Sequence, residues 1–211
     1  MSSARTEILA RLKKASTPEP RNLDPVLIPA RGLVKGAERL EKFIIEAEYG
    51  LAEVITLKSI SDVVGAMANI LKAAKTTKLK AAPHSVLQDL DWADVDIDFG
   101  AGQDDDLVAV SMAYAGVAET GTVVMRSGSD APTTLNFLPD VHVVVLFTQD
   151  IEGNYETVWQ RLLQDDDQLP RTVNWITGPS RTADIEQTML LGAHGPRKFV
   201  ILLIDDQKTD P

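Results

Sequence analysis

Three short segments hold side chains whose types and spacing suit chemistry. The first is Ala118-Glu119-Thr120-Gly121-Thr122, preceded by the small residues Ala115 and Gly116. Missing side-chain bulk lets a ligand or another backbone come close. Glu119 is the only acid between Asp106 and Asp130, and a carboxylate whose pKa burial has raised can serve as base or nucleophile. The same residues also read as a plain Thr/Gly turn with a solvated or amide-bonded Glu119. The second segment, Thr177-Gly178-Pro179-Ser180-Arg181-Thr182-Ala183-Asp184-Ile185-Glu186, runs from an apolar stretch through a Gly-Pro-Ser loop into a helical pattern. Free N–H groups at a helix start, with Ser180 and Arg181 beside them, bind a carboxylate or phosphate. Simple capping by Thr182 or Asp184 is the alternative. The third, Gly192-Ala193-His194-Gly195-Pro196-Arg197, is a tight turn in which His194 is either an acid–base or ligand group or merely exposed.

Other chemistries find less support. His84, His142 and His194 are too scattered for a metal site, and His142, at the entrance of an apolar run, reads as a structural hydrogen-bonding residue. The absence of cysteine excludes disulfides, thiolate zinc, a cysteine nucleophile and a Cys-ligated iron–sulfur cluster on this chain. No metal or cofactor is expected here. The serines, including those of Ser127-Gly128-Ser129-Asp130, lack a Gly-x-Ser-x-Gly context, which disfavours a serine hydrolase. Neither a Walker loop nor Gly-x-Gly-x-x-Gly occurs.

Alternating elements must position these segments. Residues 3–15 predict a helix with Ile8, Leu9 and Leu12 on one face, and Pro18, Pro20, Pro25 and Pro29 make the following stretch an extended connector. A helix through Leu40, Phe43, Ile44 and Ala47 ends at Gly50; Glu53 to Leu57 is a strand. A helix through Val63, Met67 and Leu71 starts at an N-cap Ser61. Strands are expected at 78–82, 95–99, 107–112, 122–125, 141–147, 173–177 and 199–204, and further helices through Val158 and Leu162 and over 183–191. The segment 113–121, before the strand at 122–125, is a run of small residues. Strands alternating with helices argue for an α/β layered fold on a largely parallel sheet. Ligands of such sheets sit at the carboxyl ends of strands, here the loops after Met112, Met125, Phe147 and Thr177. The expected organisation is an N-terminal helical arm with its connector (1–33), an α/β domain (34–205) and a polar tail (206–211).

With 211 residues and 44% apolar composition, the chain is long enough for one domain. A net charge of −10 argues against a nucleic-acid partner. No leader pattern and no run long enough to span a bilayer occurs, so a cytoplasmic location is the expectation. Arg126, Arg181 and Arg197, near strand ends, are the candidates for a local anion site.

Glu119-Thr120-Gly121-Thr122, Leu138-Pro139-Asp140-Val141-His142, Gly178-Pro179-Ser180-Arg181-Thr182-Ala183-Asp184-Ile185-Glu186 and His194-Gly195-Pro196, in that order, resemble the LUD-domain family and its lactate utilization protein C branch. The resemblance covers most of residues 50–205. It implies a Rossmann-like sheet similar to the NagB/RpiA/CoA-transferase group. It also implies a part in oxidising L-lactate to pyruvate beside iron–sulfur partner subunits that carry the redox centres. Glu119 then resembles the nucleophilic glutamate of CoA-transferase-type turns. Thr120, Gly121, Thr122, Gly178, Ser180, Arg181, Thr182 and His194 would surround a small carboxylate or meet a partner. The alternatives are a stand-alone CoA-transferase-like or sugar-phosphate-isomerase-like enzyme using Glu119, and an assembly module docking through its N-terminal arm. A homo-oligomer is compatible with each.

Overall fold

The computed structural model describes residues 3–15, 27–92, 95–165, 169–182, 190–192 and 194–205. Its centre is a six-stranded, wholly parallel sheet. The strands are β1 (Glu53–Leu57), β2 (Lys78–Ala81), β3 (Asp96–Phe99), β4 (Val108–Met112), β7 (Val141–Phe147) and β12 (Lys198–Ile204), in the spatial order β1-β12-β7-β4-β2-β3. The two longest, β7 and β12, are the near-continuous apolar runs, and they lie side by side from Lys198 opposite Val141 to Ile204 opposite Phe147. Strands buried on both faces need apolar residues at successive positions, which is why these two run through the centre.

The second sheet is smaller and mixed. Its strands β5 (Ala115–Val117), β6 (Thr122–Arg126), β8 (Ile151–Glu152) and β9 (Val173–Ile176) take the order β8-β5-β6-β9. β5 and β6 form an antiparallel hairpin, so the small-residue segment 113–121 contains a strand and the turn that carries Glu119. Alanine and glycine hide β5 from a search for branched or alternating residues. They are there because Gly116 faces Phe43, Leu146 and Ile151, where a Cβ would lie 2.9–3.1 Å from their side chains.

Three cores follow the layers. One face of the main sheet packs on helices α3 (Asp62–Ala73) and α4 (Ser85–Gln88) through Val63, Met67 and Leu87. The other face packs on α2 (Gly36–Tyr49) and the small sheet through Phe43, Ala47, Val123 and Met125. Val117 and Val124, on the far side of the small sheet, meet Val158 and Leu162 of α5 (Tyr155–Asp165). Val123 and Val124 thus serve different cores, as period-two alternation requires.

Several local expectations change. Ser61 makes no capping bond; Ser59 instead donates N–H and Oγ–H to Asp62 Oδ2, each at 3.0 Å. Gly50 follows α2 as expected, but with φ −70°, and the left-handed residue is Leu51, φ 68°. Residues 190–191 form strand β11 (Leu190–Leu191), paired antiparallel with β10 (Arg181–Thr182), where a helix over 183–191 was expected. Residues 183–189 lie outside the described set. The first helix, α1 (Ser3–Ala15), is present. No described helix is long and apolar enough to cross a membrane.

Candidate functional site

Glu119 sits in the turn of the β5–β6 hairpin and is 4% exposed. Its N–H donates to the carbonyl of Gly153 at 3.1 Å. Its carboxylate meets the connector: Arg31 Nε donates to Glu119 Oε1 at 2.6 Å, from a side chain that is 66% exposed. A buried carboxylate is costly unless paired, and this guanidinium supplies the pair. The hydrogen bond to Glu119 is the largest cause that raises the Arg31 pKa, and Glu46 and Tyr155 add to it.

A 3-10 turn, Ala30–Gly32, holds Arg31 there. Asn154 Nδ2 donates to the Gly32 carbonyl at 3.0 Å, while Asn154 Oδ1 accepts from Thr157 N–H and Oγ–H at the start of α5. A Cβ on Gly32 would stand 2.8 Å from Asn154 Cβ and 3.1 Å from Glu119 Oε2. Glycine lets the connector press onto Glu119 as a strap.

Beside the carboxylate runs a ladder of hydroxyls. Thr120 and Tyr155 are 2.7 Å apart, Thr120 and Thr122 2.7 Å, Thr122 and Tyr155 2.9 Å, and Thr122 and Thr177 2.6 Å. Thr177 carries the ladder to a cavity of about 270 Å³ whose lining includes Trp175, Thr177, Gly178, Ser180, His194 and Phe199. Neither Glu119 nor Arg181 lines it.

The structure therefore joins some of the expected residues and separates others. Thr120 and Thr122 share the ladder, and Gly178, Ser180 and His194 share the cavity. Gly121 has φ 63°, and its Cα faces the α2 backbone, where a Cβ would lie 2.0 Å from Ala47 N. Gly178 has φ 78° and faces Gly50, where a Cβ would lie 1.9 Å from the carbonyl oxygen. At both glycines the close neighbour is backbone rather than ligand. No helix begins at Ser180–Arg181. Ser180 N–H donates to Pro196 O, Ser180 O accepts from Gly192 N–H, and Arg181 is exposed in strand β10 beside Thr182. Residues 180–182 spend these backbone groups on the loop and the hairpin, and the helix start expected beyond them falls on residues 183–189, outside the described residues. Arg197 is 3.6 Å from Asp140.

The carboxyl ends of β2, β4 and β7 open onto another cavity, of about 280 Å³, lined by His84, Tyr114, Arg126, Asp150, Arg161 and Asp165 among others. This is where the sheet's connections change direction, between β2 and β4. Arg126 and Arg161 lie 5.1 and 4.7 Å from the centre of the Tyr114 ring. Arg161 is already engaged by Asp150 at 3.0 Å and Asp165 at 3.7 Å, and Tyr114 donates to Asp165 at 2.6 Å. Burial, then that hydrogen bond, push the Tyr114 phenol up to about 12. Acids balance the cations, so an added anion meets little net positive field.

His142 accepts or donates a 2.7 Å hydrogen bond with Ser111 inside the core, the structural role expected of it. Among the described residues no cluster of three or more His, Cys, Asp or Glu could hold a metal. Residue-type reasoning missed Arg31, Gly32, Asn154 and Tyr155. The proline–glycine context of Arg31 marked only a connector, and nothing local tied it to an acid 88 positions away.

The LUD domain family model matches residues 40–204. "Uncharacterized protein NMB1437" of Neisseria meningitidis serogroup B is 38% identical over 101 residues, 48% of this chain and 43% of that protein. "Lactate utilization protein C" of Bacillus licheniformis is 29% identical over 103 residues, 47% and 43% of the two chains. "Uncharacterized protein YkgG" of Escherichia coli is 35% identical over 102 residues, 47% and 44%. The matches thus span less than half the length of these relatives. A crystal structure of a DUF162 family protein from Deinococcus radiodurans shares the fold, with a TM-score of 0.57 and 18% identity over 82% of this chain and 99% of that one. The family match covers most of the chain and that structure shares its fold, and the chain belongs to the LUD domain family.

Proposed function

We propose that this chain is a component of an L-lactate utilization system and that it recognises a small carboxylate through Arg31, with Glu119 as the residue that positions the guanidinium. The pathway reading is supported by relatives named lactate utilization protein C, each matched over part of its length. The recognition reading rests on one observation: a buried carboxylate bonded at 2.6 Å to Nε of an arginine that is two-thirds in water. Nε is spent inward on Glu119, and the solvent side of the fork suits a planar carboxylate. Tyr155 and Thr120 supply hydroxyls nearby for a 2-hydroxy or 2-oxo group.

In this reading Glu119 does not act as a nucleophile, because the strap and Arg31 already occupy its carboxylate. The iron–sulfur clusters that take electrons from lactate belong to partner proteins, since this chain offers no cysteine to hold one.

Calorimetric titration of the purified chain with L-lactate, pyruvate and acetate tests the site. Binding should be lost in Arg31→Ala and weakened in Glu119→Gln, and it should persist in Arg181→Ala. Equal binding by wild type and Arg31→Ala would overturn the site. A deletion strain that still grows normally on L-lactate would overturn the pathway.

A further inference from the structure

The apolar face of the first helix and the outer face of the second are both exposed, and their chemistries are complementary. On α1, Ile8, Leu9 and Leu12 form one face and are 58%, 50% and 59% exposed. Arg5 and Arg11 accompany that face. Arg11 has an exposed one-turn ion pair with Glu7 at 2.8 Å, a weak contact in water. On α2, Phe43 and Ala47 are buried, so the opposite face looks outward. There Ile45 and Tyr49 are 57% and 85% exposed, and Glu38, Glu41 and Glu48 are exposed around them. One face is apolar and basic; the other is apolar and acidic.

We infer that α1 of one chain docks on the outer face of α2 of a second copy, and that the exchange is reciprocal, giving a twofold-symmetric homodimer. Isologous pairing buries both α1 faces and both α2 faces at once. Among the described residues of a single chain both faces stay open. A second copy is the occupant that brings the same two complementary faces from outside.

The test uses the full chain and light-scattering chromatography. Wild type should run at twice its 23.0 kDa chain mass. Two charge-reversed chains are then made, Arg5→Glu with Arg11→Glu, and Glu38→Arg with Glu41→Arg. Each alone should be monomeric, because acid then faces acid or base faces base. Mixed in equal amounts they should return to the dimer mass, since both contacts are again complementary in the heterodimer. A chain starting at residue 27 should be monomeric. The inference is overturned by a monomeric wild type, by a dimer that survives the reversals or the deletion, or by a mixture that stays monomeric. None of these readouts depends on lactate or on Arg31.

Discussion

Three residues carry the sharpest consequences. His142 is fully buried, and burial holds its pKa down, from 6.5 to about 3. Its Nδ1 meets no hydrogen-bond partner among the described residues. The unfolded chain takes up this proton near pH 6.5 while the folded chain refuses it down to about 3. Between those values stability therefore falls as pH falls, by about 1.4 kcal/mol per unit from this group. Urea melts at pH 7 and pH 5 measure the slope, and His142→Gln should flatten it by about one proton. Gly121→Ala places a methyl group 2.0 Å from the Ala47 nitrogen at φ 63°. It should cost several kcal/mol, about 3–5, or prevent folding, as read by the denaturation midpoint. Glu119→Gln keeps the size of the side chain but removes the charge that answers Arg31, so its main effect should fall on ligand titration.

Among the elements, the strap is the one held most by polar contacts. Leu27 and Leu33 are 90% and 57% exposed, so apolar burial contributes little to it. Its hold is the Arg31 pair, the Asn154 bond and the fit of Gly32. Gly32→Ala should lift it: trypsin should cut after Arg31 several-fold faster, while the melting temperature of the body changes little. Equal cleavage of wild type and variant would show that the close approach at Gly32 is not what seats the strap. The elements divide clearly in how legible they were. β7, β12, α2 and α3 were readable because long apolar runs or helical spacing name them from within. Strand β5 was not, since Ala115 and Gly116 are chosen by Phe43 and Leu146 from other parts of the chain. The strand at 190–191 was missed because Leu190 and Leu191 also suit a helical stripe. Only the partner strand at 181–182 decides between the two. The site divides in the same way: Glu119, Thr120, Thr122 and Thr177 stand inside recognisable motifs, whereas Arg31 enters only through a tertiary contact.

For the whole molecule, the two sheets share one interior. Val144, Leu146, Ile201 and Leu203 of the main sheet pack with Phe43, Val123 and Met125 of the neighbouring layer. The layers should therefore melt together: calorimetry should give one transition, and Phe43→Ala should lower it by about 3–5 kcal/mol. Two separate transitions would mean that the small sheet and α2 form an independent unit. A parallel α/β sheet was legible at this scale from the alternation of elements. Strands β6 and β9 were legible too, but not that they belong to a second sheet, because β5 and β8, which complete it, are too short to give a periodic signal. One feature of the main sheet also governs how the protein is made. β12 lies between β1 and β7, and β1 pairs residue by residue from Glu53–Val200 to Leu57–Ile204. As the chain leaves the ribosome, β1 emerges long before its ladder partner β12. Until then the edges of β1 and β7 that will receive β12 stay unpaired, the kind of exposed edge on which chains aggregate. Synthesis that stops short of residue 198 would leave β1 cut off from the other four strands, so nascent chains of this protein should lean on chaperones until β12 slots in.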